Sequence, residues 1–334
     1  VPWPSRNFLV CVDSEYCMNC SNLKNCYMLF DADYVEDSSY GTAVKQSKNC
    51  FDCQYVNFCE LCYECFLSNR CYKAVYSSNC EDCRDIAFCK DCLNCTYCFG
   101  CVGLRNKSYC IFNVQYSKEE YFEKLAEMNS GSCKSSIANK KMVEDHFSRF
   151  PVRYMHGSQN HNVSGDYIYN SNNTHDSYHV EGCEDSRYCN FMEIPSGPKY
   201  AYDYDLFGWN AEQIYECNNV GYNASRIKFS QLVYLNAHDI EYSLACSSSV
   251  SNLFGCVGVQ RKDYCILNKQ YSKEDYSALV SKIKEHMDAM PYVDKKGREY
   301  QYGEFMPAEL SPYAYNESLI QEYMPLSKEA LQEQ

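Results

Sequence analysis

The stretch CEDCRDIAFCKDCLNCTYCFGC, residues 80–101, places a cysteine at nearly every third position. Eighteen cysteines of the first third of the chain share this phase, and every gap between them is a multiple of three. A single phase kept over a hundred residues indicates a periodic backbone, not chance. These cysteines are Cys11, Cys17, Cys20, Cys26, Cys50, Cys53, Cys59, Cys62, Cys65, Cys71, Cys80, Cys83, Cys89, Cys92, Cys95, Cys98, Cys101 and Cys110.

The other residues of this phase are small or apolar, with Lys107 as the exception, whereas the two remaining phases carry most of the charged residues and tyrosines. A strand repeats every two residues and an α-helix every 3.6, so neither keeps one face at period three. Long 3₁₀ helices are uncommon, and polyproline II bundles need glycine or proline. The pattern therefore predicts a β-solenoid in which the cysteine row points inward.

A longer repeat within the row suggests the length of one coil. The spacing pattern of Cys50 to Cys65 returns thirty residues later at Cys80 to Cys95. Two coils of about fifteen residues fit this superperiod, and coils of twelve or eighteen residues stay open.

The chain also contains an internal duplication. The segment FGCVGLRNKSYCIFNVQYSKEEY at 99–121 returns as FGCVGVQRKDYCILNKQYSKEDY at 254–276, with sixteen of twenty-three positions identical. We therefore predict a mostly β protein of two tandem cysteine-lined β-solenoids, each capped by a helix. The expected divisions are a first solenoid with its capping helix (1–128), a linker with a helix (129–154), a second solenoid with its capping helix (155–290) and an extended C-terminal arm (291–334).

Helix-start signals follow each copy of the repeat. Ser117 and Glu120 form a capping-box pattern, and Ser272 with Asp275 forms an approximate one. The apolar stripe of each helix is expected to cover the open end of its coil stack. The arm, rich in aromatic residues and proline, is expected to dock back or to reach a partner.

Several motifs resemble a known group of proteins. They are KNCYMLFDADYVEDSSYG (24–41), ELCYEC (60–65), the duplicated segment at 99–121 and the tail YGEFMPAELSPYAYNESLIQEYMPLSKEA (302–330). The chain resembles uncharacterised cysteine-rich repeat proteins of candidate-phylum bacteria, whose solenoid-like middle is flanked by zinc-ribbon-like Cys-x-x-Cys ends that are absent here. The resemblance implies a longer parent chain and carries over no catalytic residue.

The simplest interpretation of the cysteines is packing, because reduced cysteine behaves as a small, often buried hydrophobe. In the second copy Cys89 aligns with Ser243 while Cys92 keeps Cys246. A position that accepts serine for cysteine is a packing position before it is a metal ligand. This interpretation predicts a non-enzymatic structural or interaction scaffold that needs no cofactor.

Two alternatives give the cysteines another role. Thiolates bind zinc or copper(I), so the chain could be a metal-binding or storage protein. A disulfide ladder would instead suit a secreted module that binds glycan or protein. The localisation stays open: cytoplasmic if the cysteines are reduced, extracellular if they are bridged. The candidate metal ligands are Cys59, Cys62, Cys65, Cys89, Cys92, Cys95, Cys98 and Cys101.

Two lysines interrupt the inward row. Lys107 and Lys262 each precede a cysteine by three residues, Cys110 and Cys265 respectively. A neighbouring ammonium lowers the pKa of a thiol and makes it reactive, so each pair is a candidate reactive site. The alternative is that the solenoid ends there and the lysine extends into solvent.

Three further residues, His175, His179 and Cys183, have helical metal-ligand spacing, but in a period-three coil they would point apart, which favours a structural role.

The composition argues against other classes of function. The net charge of -13 disfavours nucleic acid, and no apolar run approaches the roughly 18 residues of a membrane span. No nucleophile elbow, phosphate loop or dinucleotide fingerprint occurs. The 33 tyrosines keep glycan binding open, and exposed aromatic rows favour a protein partner or self-association.

Overall fold

Short parallel strands dominate the chain, which a computed structural model describes. Strands make up 47% of the described residues and helices 19%, so the fold is mostly β. The chain divides into two compact units between Val152 and Arg153. The residues described are 8–52, 60–128, 131–192, 199–208, 211–221, 223–311, 314–317 and 320–333.

The first unit is a solenoid built on one sheet. Its coils are twelve residues long, because the register pairs Cys50 with Cys62 and Cys98 with Cys110. The expected length of about fifteen is therefore wrong, and the open alternative of twelve is right. The strands are β1 (Phe8–Val12), β2 (Cys20–Lys24), β3 (Tyr27–Phe30), β4 (Asp33–Glu36), β5 (Ser39–Thr42), β6 (Lys48–Phe51), β7 (Glu60–Tyr63), β8 (Tyr72–Val75), β9 (Arg84–Ala87), β10 (Thr96–Phe99), β11 (Ser108–Ile111) and β12 (Val114–Gln115).

The period of three has a backbone origin. In the described part of residues 10–112, every third residue has a positive φ, between +46° and +68°. Each left-handed residue turns the chain and is followed by an inward side chain, then by an outward one. Four such triplets complete a coil of twelve. A positive φ disfavours L-residues, and asparagine and aspartate tolerate it best; they fill many of these positions, such as Asn19, Asp31 and Asn94.

Coil-to-coil hydrogen bonds use the backbone amides of each triplet in a fixed way. The outward Glu15 N–H donates to the carbonyl of the inward Cys26 at 3.0 Å, and the left-handed Met28 N–H donates back to the Glu15 carbonyl at 3.0 Å. The inward Cys26 N–H donates to the Ser14 hydroxyl at 3.2 Å. Buried amides need acceptors, so the inward row favours small side chains that can accept a hydrogen bond.

The second unit is a solenoid with less uniform coils. The register steps by twelve residues from Asn172 to Glu184, by fifteen from Glu184 to Lys199 and by thirteen from Lys199 to Glu212. The strict period is lost for this reason. The strands are β13 (Gly157–Ser158), β14 (His161–Tyr169), β15 (Asn172–Glu181), β16 (Glu184–Met192), β17 (Lys199–Gly208), β18 (Glu212–Gly221), β19 (Ser225–Tyr234), β20 (Ala237–Glu241), β21 (Val250–Phe254), β22 (Asp263–Ile266) and β23 (Lys269–Gln270).

An antiparallel hairpin closes the C-terminal end of each solenoid, β11 with β12 and β22 with β23. The Asn113 side chain accepts from the Val102 N–H at 2.8 Å and donates to the Val102 carbonyl at 2.9 Å. Asn268 makes the same pair of bonds to Val257. The asparagine amide thus substitutes for the peptide group of a further coil, as repeat ends require.

Each solenoid is capped by a helix, and the helix lies over outward aromatic side chains of the last coils. Tyr121 of the first helix packs with Phe99 and Ile111, and the third helix packs on Phe254 and Ile266. The open end itself is finished by the hairpin, which the sequence did not predict. The helices are α1 (Lys118–Met128), α2 (Cys133–Phe147), α3 (Lys273–Ala289), α4 (Ile320–Tyr323) and α5 (Lys328–Glu333), with 3₁₀ turns at Ala308–Leu310 and Tyr315–Glu317.

The capping predictions hold at both helices. Glu120 N–H donates to Ser117 Oγ at 3.3 Å, and Ser117 N–H donates back to the Glu120 carboxylate at 3.0 Å. In the second copy Asp275 N–H donates to Ser272 Oγ at 3.1 Å, whereas the Ser272 hydroxyl donates to the Asp275 carboxylate at 2.9 Å. The second box is approximate because the bond returned to the carboxylate comes from the serine hydroxyl instead of the backbone.

The arm docks back on the second solenoid. It begins with a hairpin of β24 (Tyr292–Val293) and β25 (Glu299–Tyr300). Gly303 N–H donates to the Tyr242 hydroxyl at 3.1 Å, and that hydroxyl donates to the Glu304 carbonyl at 2.9 Å. In the described part of the chain, no helix has both the length and the apolar character needed to cross a bilayer.

Candidate functional site

Most cysteines of the first unit form one buried cluster, which we call the thiol core. It contains seven of the eight predicted metal ligands, and the eighth, Cys59, lies outside the described residues. Ala74 and Ile86 are the other buried members. The cysteines of the thiol core are Cys50, Cys62, Cys65, Cys71, Cys80, Cys83, Cys89, Cys92, Cys95, Cys98, Cys101 and Cys110.

Backbone carbonyls hold the inward thiols. The Cys89 thiol lies 3.4 Å from the Ala87 carbonyl, two residues back, and 3.4 Å from the Cys98 carbonyl in the next coil. Cys71 repeats this pattern with the carbonyls of Asn69 and Cys80. A thiol is a weak donor, and a carbonyl has a second lone pair free for it. The inward thiols therefore hydrogen-bond to the backbone, although their side chains pack together as a hydrophobic core.

The same side chains accept hydrogen bonds from inward amides. Cys95 N–H donates to Cys83 Sγ at 3.4 Å, and Cys89 N–H donates to Ser77 Oγ at 3.1 Å. Serine and cysteine perform one task here, which is to satisfy a buried amide of the next coil.

The aligned serine of the second unit tests this equivalence. The Ser243 hydroxyl donates to the Glu241 carbonyl at 2.9 Å, two residues back, as the Cys89 thiol does. It also accepts from the Cys256 N–H at 3.1 Å. The register supports the alignment of Cys89 with Ser243, because the residues that follow them, Lys90 and Leu244, pair with the equivalent Val102 and Val257.

Burial dominates the acidity of most thiols. Desolvation raises the pKa of Cys217 to about 12 and that of Cys246 to about 11, and it raises the pKa of Cys89 well above its ordinary value. Such thiols stay protonated and weakly nucleophilic at neutral pH.

Three thiols of the core differ from the others. Contacts with Cys83, Cys92 and Cys98 lower the pKa of the Cys95 thiol, against the opposing effect of burial, and contacts with neighbouring thiols also lower the pKa of Cys83 and Cys101. The Cys95 thiol itself donates to the Leu93 carbonyl at 3.3 Å. Within the residues that the structure describes, no group of three or more histidine, cysteine or acidic side chains has the arrangement of a metal site.

The two lysine–cysteine pairs lie at the C-terminal ends of the solenoids. Lys107 and Lys262 are exposed, while Cys110 and Cys265 are buried. Burial raises the pKa of Cys110, and Lys107 lowers it by a smaller amount; Cys265 and Lys262 behave alike. The reactivity of these thiols stays a prediction.

His175 and His179 both lie on strand β15, and their side chains contact different partners. His179 stacks between Tyr167 and Phe191, at centroid distances of 4.5 and 5.0 Å. His175 instead lies 3.4 Å from the Ser164 hydroxyl, and Cys183 is buried in the core. This agrees with the structural role that the period favours.

The second solenoid carries a groove lined by tyrosines, which we call the tyrosine groove. The sequence analysis predicted none of its residues. The tyrosine groove has a volume of about 470 Å³. Its lining comes from three neighbouring coils and from the docked arm, so no single stretch of sequence signals it. The side chains that define it are Tyr200, Tyr202, Gln213, Tyr215, Lys228 and Tyr302.

The sequence matches no protein-family model and no curated protein. Among solved structures, a Desulfovibrio desulfuricans chain described as an acetyltransferase aligns over 87% of this chain and 84% of its own length. The identity is 12% and the TM-score is 0.13, so this likeness carries no argument about fold or function.

Proposed function

We propose that this protein is a non-enzymatic structural and interaction scaffold, in which the thiol core serves to pack and hydrogen-bond the coils. The observation that carries the proposal is the equivalence of Cys89 and Ser243, which make the same bonds to carbonyls two residues back. A serine cannot replace a thiolate ligand of zinc or copper(I) without changing the metal site. It can replace a thiol whose task is packing.

An exposed row of tyrosines supports the interaction role. The rings of Tyr16 and Tyr27 lie 5.4 Å apart, and those of Tyr27 and Tyr40 lie 5.6 Å apart. Their exposed fractions are 64%, 37% and 52%. Contiguous exposed aromatic rows mark surfaces for another chain. A protein partner or self-association through this row is part of the proposal.

Thiol labelling of the full chain tests the role of the core. Cys133 is exposed at the start of α2 and provides an internal positive control. We expect Cys133 to react at once with a maleimide, and Cys80, Cys89 and Cys92 to react only after denaturation. Rapid labelling of these three in the native protein would contradict a packed core.

The alternative proposal is a thiolate metal-binding or storage protein. Its support is the group of Cys83, Cys95 and Cys101, whose pKa values are lowered by neighbouring thiols. Thiolate ligands of this kind suit zinc and copper(I). Equilibrium dialysis against each ion distinguishes the two proposals, with Cys95→Ser as the variant and Cys217→Ser in the other unit as its control. Stoichiometric binding that only Cys95→Ser abolishes would favour the metal function.

Membership of the cysteine-rich repeat proteins of candidate-phylum bacteria, and a longer parent chain with zinc-ribbon-like ends, also remain proposals. Their support is the set of motifs at 24–41, 60–65, 99–121 and 302–330. Sequencing the gene in its genomic context tests both. An open reading frame without Cys-x-x-Cys ends would contradict the longer parent chain.

A further inference from the structure

The tyrosine groove of the second unit has the size and composition of a ligand site. Pockets that bind small molecules range from about 300 to 1,000 Å³ and combine aromatic walls with a few polar groups. The groove, at about 470 Å³, lies within this range. Tyr200 and Tyr202 are 48% and 42% exposed, so their ring faces are open to a ligand.

The register arranges the groove as a ladder across three coils. Tyr202 pairs with Tyr215, and Tyr215 pairs with Lys228. Adjacent strands lie about 4.8 Å apart, so the ladder repeats at a distance comparable with the length of one sugar ring. Within the described part of the chain, the Lys228 ammonium has no ion pair and the Gln213 amide no side-chain hydrogen bond, and both face the groove.

The backbone beneath the groove limits what can bind. Strand β18 is paired on both sides, with β17 and β19, so its amides and carbonyls are already used. An extended peptide adds to a sheet through a free strand edge, which this face does not offer. Recognition here must come from ring faces, the amide, the ammonium and the tyrosine hydroxyls.

The charge around the groove disfavours an anionic ligand. Asp203 and Glu216 follow Tyr202 and Tyr215 in sequence, and the pKa of Glu216 is raised by burial and, to a smaller extent, by the Asp203 carboxylate. The net charge of the chain is -13. A neutral ligand rich in hydroxyls can accept hydrogen bonds from Lys228 and Gln213, whereas a polyanion would be repelled by the net negative charge of the chain.

The first unit supplies an internal comparison. Counting coils back from Cys110 and Cys265 through the registered pairs, Phe51 corresponds to Tyr202 and Tyr63 to Tyr215. Acidic residues also follow these positions in both units: Asp52 and Glu64 in the first, and Asp203 and Glu216 in the second. By the same count, the places of Tyr200, Gln213 and Lys228 are taken by Asn49, Leu61 and Val75.

The two equivalent faces also differ in what covers them. In the first unit Lys140 of α2 lies 2.8 Å from the Glu64 carboxylate and 4.4 Å from the centre of the Tyr76 ring. In the second unit the arm residue Tyr302 packs against Phe229 and Tyr242 and leaves the groove beside it open. The second face therefore has the polar groups and the space that the first lacks.

We propose that the tyrosine groove binds a neutral oligosaccharide laid across the coils. Sugar rings stack on Tyr202 and Tyr215, and their hydroxyls bond to Gln213 and Lys228. Tyrosine suits this role because it offers a large ring face and a polar hydroxyl at low entropic cost.

Binding is tested on the full chain with four neutral hexasaccharides: β-1,4-linked glucose, N-acetylglucosamine and xylose, and α-1,4-linked glucose. Saturation-transfer NMR detects contact and calorimetry gives Kd. We expect at least one of the four to bind, and Tyr202→Ala to weaken it by about tenfold or more, the effect of one lost ring contact and its polar partner. Lys228→Met should weaken it by a smaller factor.

The equivalent substitution in the first unit is the control. Tyr63→Ala removes the matched tyrosine and should leave Kd unchanged, and Tyr202 is exposed enough that its variant should keep the melting temperature of the parent chain. The absence of binding by all four sugars at millimolar concentration would overturn the proposal. Equal loss of affinity in Tyr63→Ala and Tyr202→Ala would overturn it too.

Discussion

The two solenoids solve one packing problem with different side chains. In the first, every registered step is twelve residues and the inward side chains are mainly cysteines. In the second, several coils have thirteen residues, and the inward row includes Ile214, Ile227 and Ile240. The register shows that Ile214 holds the place of Cys62 and Ile227 that of Ala74. The coil itself therefore does not require cysteine.

One inward row stays polar in both units. Asn113 N–H donates to Cys101 Sγ, and Asn268 N–H donates to Cys256 Sγ, each at 3.5 Å. Further back along the same row, Ser243 N–H donates to Ser230 Oγ at 3.1 Å. Cysteine therefore has two separable roles. It fills space in the core, as isoleucine also does, and it accepts a hydrogen bond from a buried amide N–H, as serine also does.

The largest effect should appear on alkaline titration. Burial raises the pKa of Cys189 and Cys217 to about 12 and of Cys246 to about 11, above the ordinary thiol value of 9.0. A raised pKa means that the folded state holds the proton longer, so stability is complete below pH 9 and falls as the pH rises toward 11 or 12. Each such thiol contributes about 1.4 kcal/mol per pH unit in that window.

Hydrogen exchange of β18 and β19 at pH 8, 9 and 10 measures the alkaline loss. The variant Cys217→Ser removes one of these thiols and should reduce the slope with pH. An unchanged free energy of opening between pH 8 and 10 would contradict protonated, buried thiols in the second unit.

Large-to-small substitution at equivalent positions should separate the two units. Ile214→Ala is expected to cost about 2–5 kcal/mol, as other isoleucine truncations in cores do. Cys62→Ala removes only one sulfur and should cost about 1 kcal/mol. Urea unfolding, followed by hydrogen exchange so that each unit has its own midpoint, measures the change in unfolding free energy for both variants. An equal loss of unfolding free energy in the two variants would contradict this difference, because it would mean that Cys62 contributes as much to packing as Ile214.

The polar row should be sensitive to loss of its acceptor. Ser243→Ala removes only the hydroxyl and leaves the Cys256 N–H without the oxygen that accepts its hydrogen bond. An unsatisfied buried amide costs about 1–3 kcal/mol. Ser243→Cys should cost less, because cysteine is the residue of the first unit at this position. An alanine variant as stable as the cysteine variant would refute the hydrogen-bonding role.

The smallest effect concerns the glycines that face the last coil. A Cβ on Gly100 would lie 2.6 Å from the Phe112 ring, and one on Gly255 would lie 3.1 Å from a methyl of Leu267. Because a ring yields less than a leucine methyl, Gly100→Ala should lower stability by about 1 kcal/mol more than Gly255→Ala. Gly103→Ala is the control, since its Cβ meets nothing within 4 Å and its φ is also positive. Thermal melts of the three variants provide the comparison.

Much of the fold follows from the cysteine phase alone. The inward row, the duplication and the helix starts at Ser117 and Ser272 could all be predicted. The coil length could not, because the thirty-residue superperiod spans two and a half coils of twelve. Cys50 and Cys80 therefore repeat a spacing without stacking on each other. Residues thirty apart occupy different positions within their coils, so the repeated cysteine spacing does not mark the coil length.

The candidate sites were less accessible from the sequence. The period of three correctly predicted which cysteines lie together in the thiol core. It could not predict the shared role of Cys89 and Ser243, because that role depends on hydrogen bonds to particular carbonyls. The tyrosine groove lay beyond reach for a different reason. Tyr202, Tyr215 and Lys228 become neighbours only when coils of thirteen residues are known, and that length is not visible in a sequence without a strict period.

The native mass of the intact chain, compared with its denatured mass, tests the central claim about the thiol core most directly. If the cysteines pack and hydrogen-bond the coils, the native mass equals that of the fully reduced chain without metal. A native mass that exceeds the denatured mass by whole zinc or copper ions would contradict the account and establish the thiol core as a metal site.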